Sequence, residues 1–94
     1  MNNERNAQQF QELVKALVGI TSPELMTSFL HDLCTSAELS AMGQRLEVAR
    51  MVRDGLSYQE IARQTGASTA TVTRVAHWLR SGEGGYQAIL GTDQ

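Results

Sequence analysis

Leu56–Arg80, LSYQEIARQTGASTATVTRVAHWLR, reads as a short helix, a glycine turn and a second helix, and no other stretch limits the fold of the chain as much. Ser57 and Glu60 stand three residues apart, the spacing of a capping box, and Leu56 and Ile61 occupy the positions of a hydrophobic staple. Gly66 should end this helix, because glycine enters the left-handed conformation of a C-cap at little steric cost. Ser68 can then cap the next one. At about 100° per residue, Val72, Val75, Ala76 and Leu79 share one side of that second helix. Ala70, Arg74 and His77 lie opposite, flanked by Thr71, Thr73 and Trp78. Such a face suits a major groove. Short side chains allow close approach, hydroxyls and a guanidinium bond base edges or phosphates, and a methyl group meets thymine. The plain alternative is a solvated amphipathic helix. The short first helix, the turn and the threonine-rich face together favour a helix-turn-helix DNA reader.

The formal net charge of −2 runs against nucleic-acid binding until its distribution is examined. Over residues 45–80, Arg45, Arg50, Arg53, Arg63, Arg74 and Arg80 outnumber Glu47, Asp54 and Glu60 by three. Acidic residues prevail before and after this segment, so positive charge coincides with the reading unit. All its cations are arginines, which suit bidentate contact with phosphate or guanine. The excess is modest, so one protomer is expected to bind weakly.

The remaining chain reads as helices. Residues 4–19 place Phe10, Leu13, Val14, Leu17, Val18 and Ile20 on a broad apolar side. Ser22 and Pro23 form an N-cap and N1 pair that opens a second helix running to about Leu33. Thr35 with Glu38 suggests another capping box, opening a third helix that ends at Arg53 or Asp54 before Gly55. Its stripes, Leu39, Met42, Leu46 and Ala49 beside Val48, Met51 and Val52, mark a helix with several neighbours. Gly82 should end the recognition helix, and Tyr86 to Leu90 reads as a last helical turn before a frayed end. The expectation is one all-α domain over 1–94 with about six helices: dimerisation helices in 1–55, the helix-turn-helix in 56–81, and a C-terminal loop and short helix in 82–94.

Enzyme chemistry finds little support. His31 and His77 are the only histidines, Cys34 is the only cysteine, and neither an HExxH nor a nucleophile elbow is present. Cys34 reads as a small buried apolar residue and His31 as a surface one. The run SGEGG at 81–85 follows no strand, so it reads as a loop or hinge rather than a phosphate cradle. No apolar run approaches the ~20 residues of a membrane span, and MNNERNAQQF lacks a signal-peptide core. These features point to a cytoplasmic protein without membrane contact.

The segments TSAELSAMGQR (35–45) and LSYQEIARQTGASTATVTR (56–74) resemble the Trp-repressor superfamily, most specifically in Ala70-Thr71-Val72-Thr73-Arg74. The tail with Gly84-Gly85-Tyr86 is more similar to its YerC/YecD branch. The resemblance implies an intertwined all-helical homodimer that reads a palindromic operator in double-stranded DNA with two recognition helices about one duplex turn apart. It implies groove contacts at Thr69, Ala70, Thr71 and Thr73, a polar DNA contact at Gln59, and basic positions near the backbone at Arg53 and Arg74. Ser68 and His77 border the same face and complete the expected DNA-binding set. Ala62 stands where the tryptophan repressor has a lysine, which removes one phosphate contact. An effector cleft is implied between Arg45 and Arg74, with Thr35 lining it across the dimer. Val75 and Trp78 replace a glycine and a serine there, both are bulky, and an indole at Trp78 is placed to fill the cleft from within. Tryptophan is therefore disfavoured, and a different small effector or none remains open. The function expected is a sequence-specific, non-enzymatic repressor needing no cofactor. The competing expectation is an interaction adaptor that keeps the helix-turn-helix shape and reads no DNA.

Overall fold

The computed structural model describes residues 3–91, and among them the structure is entirely helical. The helices are α1 (Asn3–Val18), α2 (Pro23–Leu33), α3 (Ser36–Arg53), α4 (Tyr58–Thr65), α5 (Thr69–Ser81) and α6 (Gly85–Leu90). The expected frayed end falls largely at residues 92–94, outside the described residues. The chain divides into two units at Ser36/Ala37. Almost all of α3 therefore groups with the helix-turn-helix rather than with α1 and α2.

In the N-terminal unit, Ser22 caps α2 as expected. Its backbone is extended, its hydroxyl accepts the Leu25 N–H at 2.9 Å, and Pro23 takes the first turn. Neither α1 nor α2 contains a buried residue. Phe10 is 64% exposed and Val18 77%, and Leu25 and Leu33 are also open. The apolar sides legible in the sequence exist, but they are only partly covered: Leu13, Leu17, Phe29 and Leu30 are half-buried and none is fully buried.

The C-terminal unit holds the core: Val48, Ala49 and Val52 of α3, Ile61 of α4, Ala67 of the turn, and Val72, Val75, Ala76 and Leu79 of α5. Met51, Leu56, Tyr58, Ala62, Tyr86 and Leu90 pack around it. The expected apolar side of α5 is thus its buried side, residue for residue. The expected double stripe on α3 is split along the helix. Its C-terminal half enters the core, whereas Met42 is exposed and Leu39 and Leu46 are only partly covered.

Polar contacts lock this unit at four places that sequence spacing did not reveal. The Gln44 amide donates to the Thr65 carbonyl at 3.2 Å, which ties α3 to the end of α4. Arg80 Nη1 donates to the Tyr58 hydroxyl at 2.9 Å, which ties the end of α5 to the start of α4. Gln87 donates to the Leu79 carbonyl at 2.8 Å. Arg53 donates through Nε to Asp54 at 3.0 Å and through Nη1 to the Leu90 carbonyl at the last turn of α6. A cation at a helix C-terminus satisfies an otherwise orphaned carbonyl and the helix dipole together. Arg53→Gln should therefore loosen α6, at a cost of roughly 1–2 kcal/mol. Faster amide exchange confined to 85–91 is the expected signature, and unchanged protection there would contradict it.

Candidate nucleic-acid interface

The turn between α4 and α5 is built from the residues that marked it. The Ser57 hydroxyl accepts the Glu60 N–H at 3.1 Å and starts α4. Gly66 ends it at φ 78°, in the left-handed region, with its N–H on the Ala62 carbonyl. Thr65 adds a brace: its hydroxyl donates to the Ile61 carbonyl at 2.7 Å and accepts the Ala67 N–H at 3.1 Å. Ala67 then turns into the core. Ser68 starts α5 by accepting the Thr71 N–H at 3.1 Å, and its own hydroxyl reaches Thr71 Oγ1 at the same distance. At the far end, Gly82 closes α5 where a Cβ would lie 2.5 Å from the Trp78 carbonyl oxygen, a distance no side chain tolerates.

Only half of the α4 capping box forms. The Glu60 carboxylate turns to Arg63, which donates through Nε at 3.0 Å and through Nη2, and to the Gln64 amide at 2.5 Å. The hydrogen bonds from Arg63, and then that from Gln64, hold the Glu60 carboxyl at about 2, below the usual 4.5. The Arg63 guanidinium is correspondingly raised. A carboxyl depressed in the folded state stabilises fully above its unfolded value, and that stabilisation disappears as pH falls through about 2. The melting temperatures of the native protein and Glu60→Gln should accordingly differ at neutral pH and converge near pH 2. The gap should be small and shrink with salt, since the cluster lies at the surface. A gap that survives at pH 2 would assign it to packing instead.

With the core side of α5 turned inward, Thr69, Ala70, Thr73, Arg74 and His77 are all exposed, and Thr71 is half-buried. Gln59 is exposed on α4. Ala70, Thr73, Arg74 and His77, which the sequence grouped on or beside one helix face, are thus open on α5; Thr69 and Gln59 were implied by the family resemblance and are also exposed. Two members of the expected set have other employment. The Ser68 hydroxyl is consumed by Thr71, and Arg53 is held by Asp54 and Leu90, with its side chain 24% exposed. Arg63 is likewise neutralised by Glu60. Arg50 and Arg74 are exposed and Arg45 half-buried.

Of the residues expected around an effector, Trp78 is 44% exposed. It lines an open groove of about 670 Å³ with Leu46, His77, Ser81, Gly82, Glu83, Gly85, Tyr86 and Ile89. Arg45 and Arg74 are not in that lining. Thr35 belongs to the N-terminal unit and is exposed. Sequence reading missed this groove because α6 is signalled only by a weak run, and Tyr86 and Ile89 gain meaning once that run is folded back. Among the described residues, no group of three His, Cys, Asp or Glu is placed to hold a metal, and no helix is long and apolar enough to cross a membrane.

Comparison with known proteins places this geometry in context. The family model described as Trp repressor protein matches residues 8–94. The uncharacterised protein YerC of Bacillus subtilis (strain 168) is 40% identical over 82 residues, covering 87% of this chain and 79% of YerC. A candidate Trp repressor from Staphylococcus aureus has a solved structure that superposes with a TM-score of 0.83 at 37% identity, over 96% of this chain and 91% of the other. A TrpR-like protein from Eubacterium eligens ATCC 27750 superposes with a TM-score of 0.84 at 38% identity, over 94% and 91% of the two chains.

Proposed function

Since the chain belongs to the Trp repressor family, we propose that it is a sequence-specific DNA-binding regulator, acting without catalysis as a homodimer that occupies a palindromic operator and represses transcription. One observation carries this reading. The hydrophobic side of α5 is buried, which leaves Thr69, Ala70, Thr73 and Arg74 outward at the start of a helix set on a braced turn. Hydroxyls and the Ala70 methyl group supply sequence choice, and arginine supplies affinity. Gln59 and Thr71 extend the contact, and His77 borders it. Ser68 contributes by setting the helix start, and Arg53 joins the interface only by releasing Asp54 and the Leu90 carbonyl.

Dimerisation is supported by the open apolar sides of α1 and α2, since Phe10, Val14, Val18, Leu25 and Leu33 remain exposed in the single chain. Two protomers would also double a modest positive charge. The partners on this reading are double-stranded DNA and a second copy of the chain, which implies a cytoplasmic location. A cleft between Arg45 and Arg74, lined by Thr35 of a second copy, belongs to the same proposal. The bulky Val75 and Trp78 at positions where the resemblance has a glycine and a serine favour an effector other than tryptophan, or none.

The adaptor reading gains from one observation: Glu60 and Asp54 neutralise Arg63 and Arg53. Fluorescence titration against DNA selected from a random pool separates the two. A DNA reader should prefer selected over random duplex and lose affinity steeply between ~50 and 200 mM salt. Equal affinity for both duplexes removes sequence recognition, and association indifferent to salt supports the adaptor.

A further inference from the structure

The Glu60 carboxylate is gripped by its neighbours as a phosphate group would be. Arg63 reaches back to it along α4 through Nε at 3.0 Å and through Nη2, and the Gln64 amide joins at 2.5 Å. A guanidinium fork takes two oxygens of a carboxylate or of a phosphate in the same geometry. These donors hold the Glu60 carboxyl at about 2. The pair nevertheless stands in solvent, with the Arg63 side chain 71% exposed and that of Glu60 37%. Exposed ion pairs contribute little and weaken with salt, so another anion can take the fork at small cost. Arg53 differs, since the Leu90 carbonyl holds it as well as Asp54.

The placement of Arg63 indicates which anion that is. Gln59 and Arg63 are four residues apart and both exposed, so they share one outward stripe of α4. Gly66 follows at the end of α4 and turns the chain into α5. In a helix-turn-helix the first helix crosses the nucleic-acid backbone. We propose that Arg63, assisted by Gln64, is a further contact to a DNA phosphodiester, and that Glu60 occupies its fork in the free protein. On association the phosphate replaces the carboxylate. Glu60 is then an internal competitor that sets affinity without touching a base. This inference rests on the DNA-binding reading.

A double-mutant cycle in the full-length protein tests it. The native chain, Glu60→Gln, Arg63→Gln and the double variant are each titrated with selected and random duplexes over a range of salt. Arg63→Gln should weaken both duplexes alike by about tenfold, and for a dimer the slope of log affinity against log salt should become shallower by about 1.8. Glu60→Gln should tighten both duplexes by about fivefold, and most of that gain should vanish beside Arg63→Gln. An equal gain in both backgrounds overturns the proposal, because Glu60 then acts only by repelling DNA. An unchanged salt slope in Arg63→Gln overturns it too, and leaves the pair an ordinary bridge on a helix surface. In either case a native preference for the selected duplex keeps the regulator reading standing. A native protein with neither that preference nor a salt dependence removes both.

Discussion

Ile61→Ala should destabilise the C-terminal unit by roughly 2–5 kcal/mol, the cost of removing a large aliphatic side chain from a site that cannot fully collapse. Ile61 is completely buried and is the only buried residue of α4. An eight-residue helix has little stability of its own, so α4 persists because it is packed. Leu56 packs against the core that Ile61 belongs to, and the Ile61 carbonyl receives the Thr65 hydroxyl that braces the turn. Small domains are stable by only about 5–15 kcal/mol in total. Urea unfolding at fixed protein concentration should show a lower midpoint with little change in slope. A loss below about 1 kcal/mol would mean that α4 is held by something other than this core. The outward α5 face would lose its alignment with α4 in step with the fold.

The same residues show why so much of this unit was legible in advance. Ser22, Ser57, Gly66 and Ser68 act on backbone groups within four residues, so their effect is written locally, and each one caps where its position predicts. The buried side of α5 was equally readable because helical periodicity needs no knowledge of the partner. Glu60 marks the limit of such reasoning. Its spacing from Ser57 fits a capping box, yet Arg63 and Gln64 lie equally close along the helix and offer charge and a second donor. Local spacing states which bonds are available, and competition decides among them.

Features set by distant residues were hidden for a physical reason. Gln44 with Thr65, Arg53 with Leu90 and Arg80 with Tyr58 join positions 21, 37 and 22 apart. No periodicity relates them. Arg53 is the instructive case, since its place in a basic segment suggested phosphate contact and its surroundings hold it on α6. Trp78 is another: the groove it lines in one protomer with Tyr86 and Ile89 depends on how α6 folds back, which helical periodicity in α5 does not state. The apolar stripes of α1 and α2 were read correctly as stripes, but a stripe alone does not state what covers it.

Arg74→Ala should weaken binding to selected DNA by at least about 30-fold, assuming a dimer in which both copies lose a charge-assisted contact of roughly 1–3 kcal/mol. Arg74 is exposed on the outer side of α5 and makes no hydrogen bond or ion pair among the described residues, so its removal has little structural cost. The salt dependence shows what it touches. If both guanidinium groups neutralise phosphates, the slope of log affinity against log salt should become shallower by about 1.8, and selected and random duplexes should weaken alike. If they grip guanine, affinity for the selected duplex falls most and discrimination relaxes at one base pair per half-site. Arg74→Lys separates charge from shape. Lysine retains a point charge but lacks the planar fork, so it should restore most binding at a phosphate and little at a guanine. An Arg74→Ala protein with undiminished affinity and an unchanged salt slope would take α5 out of the interface, and with it the DNA-reading function.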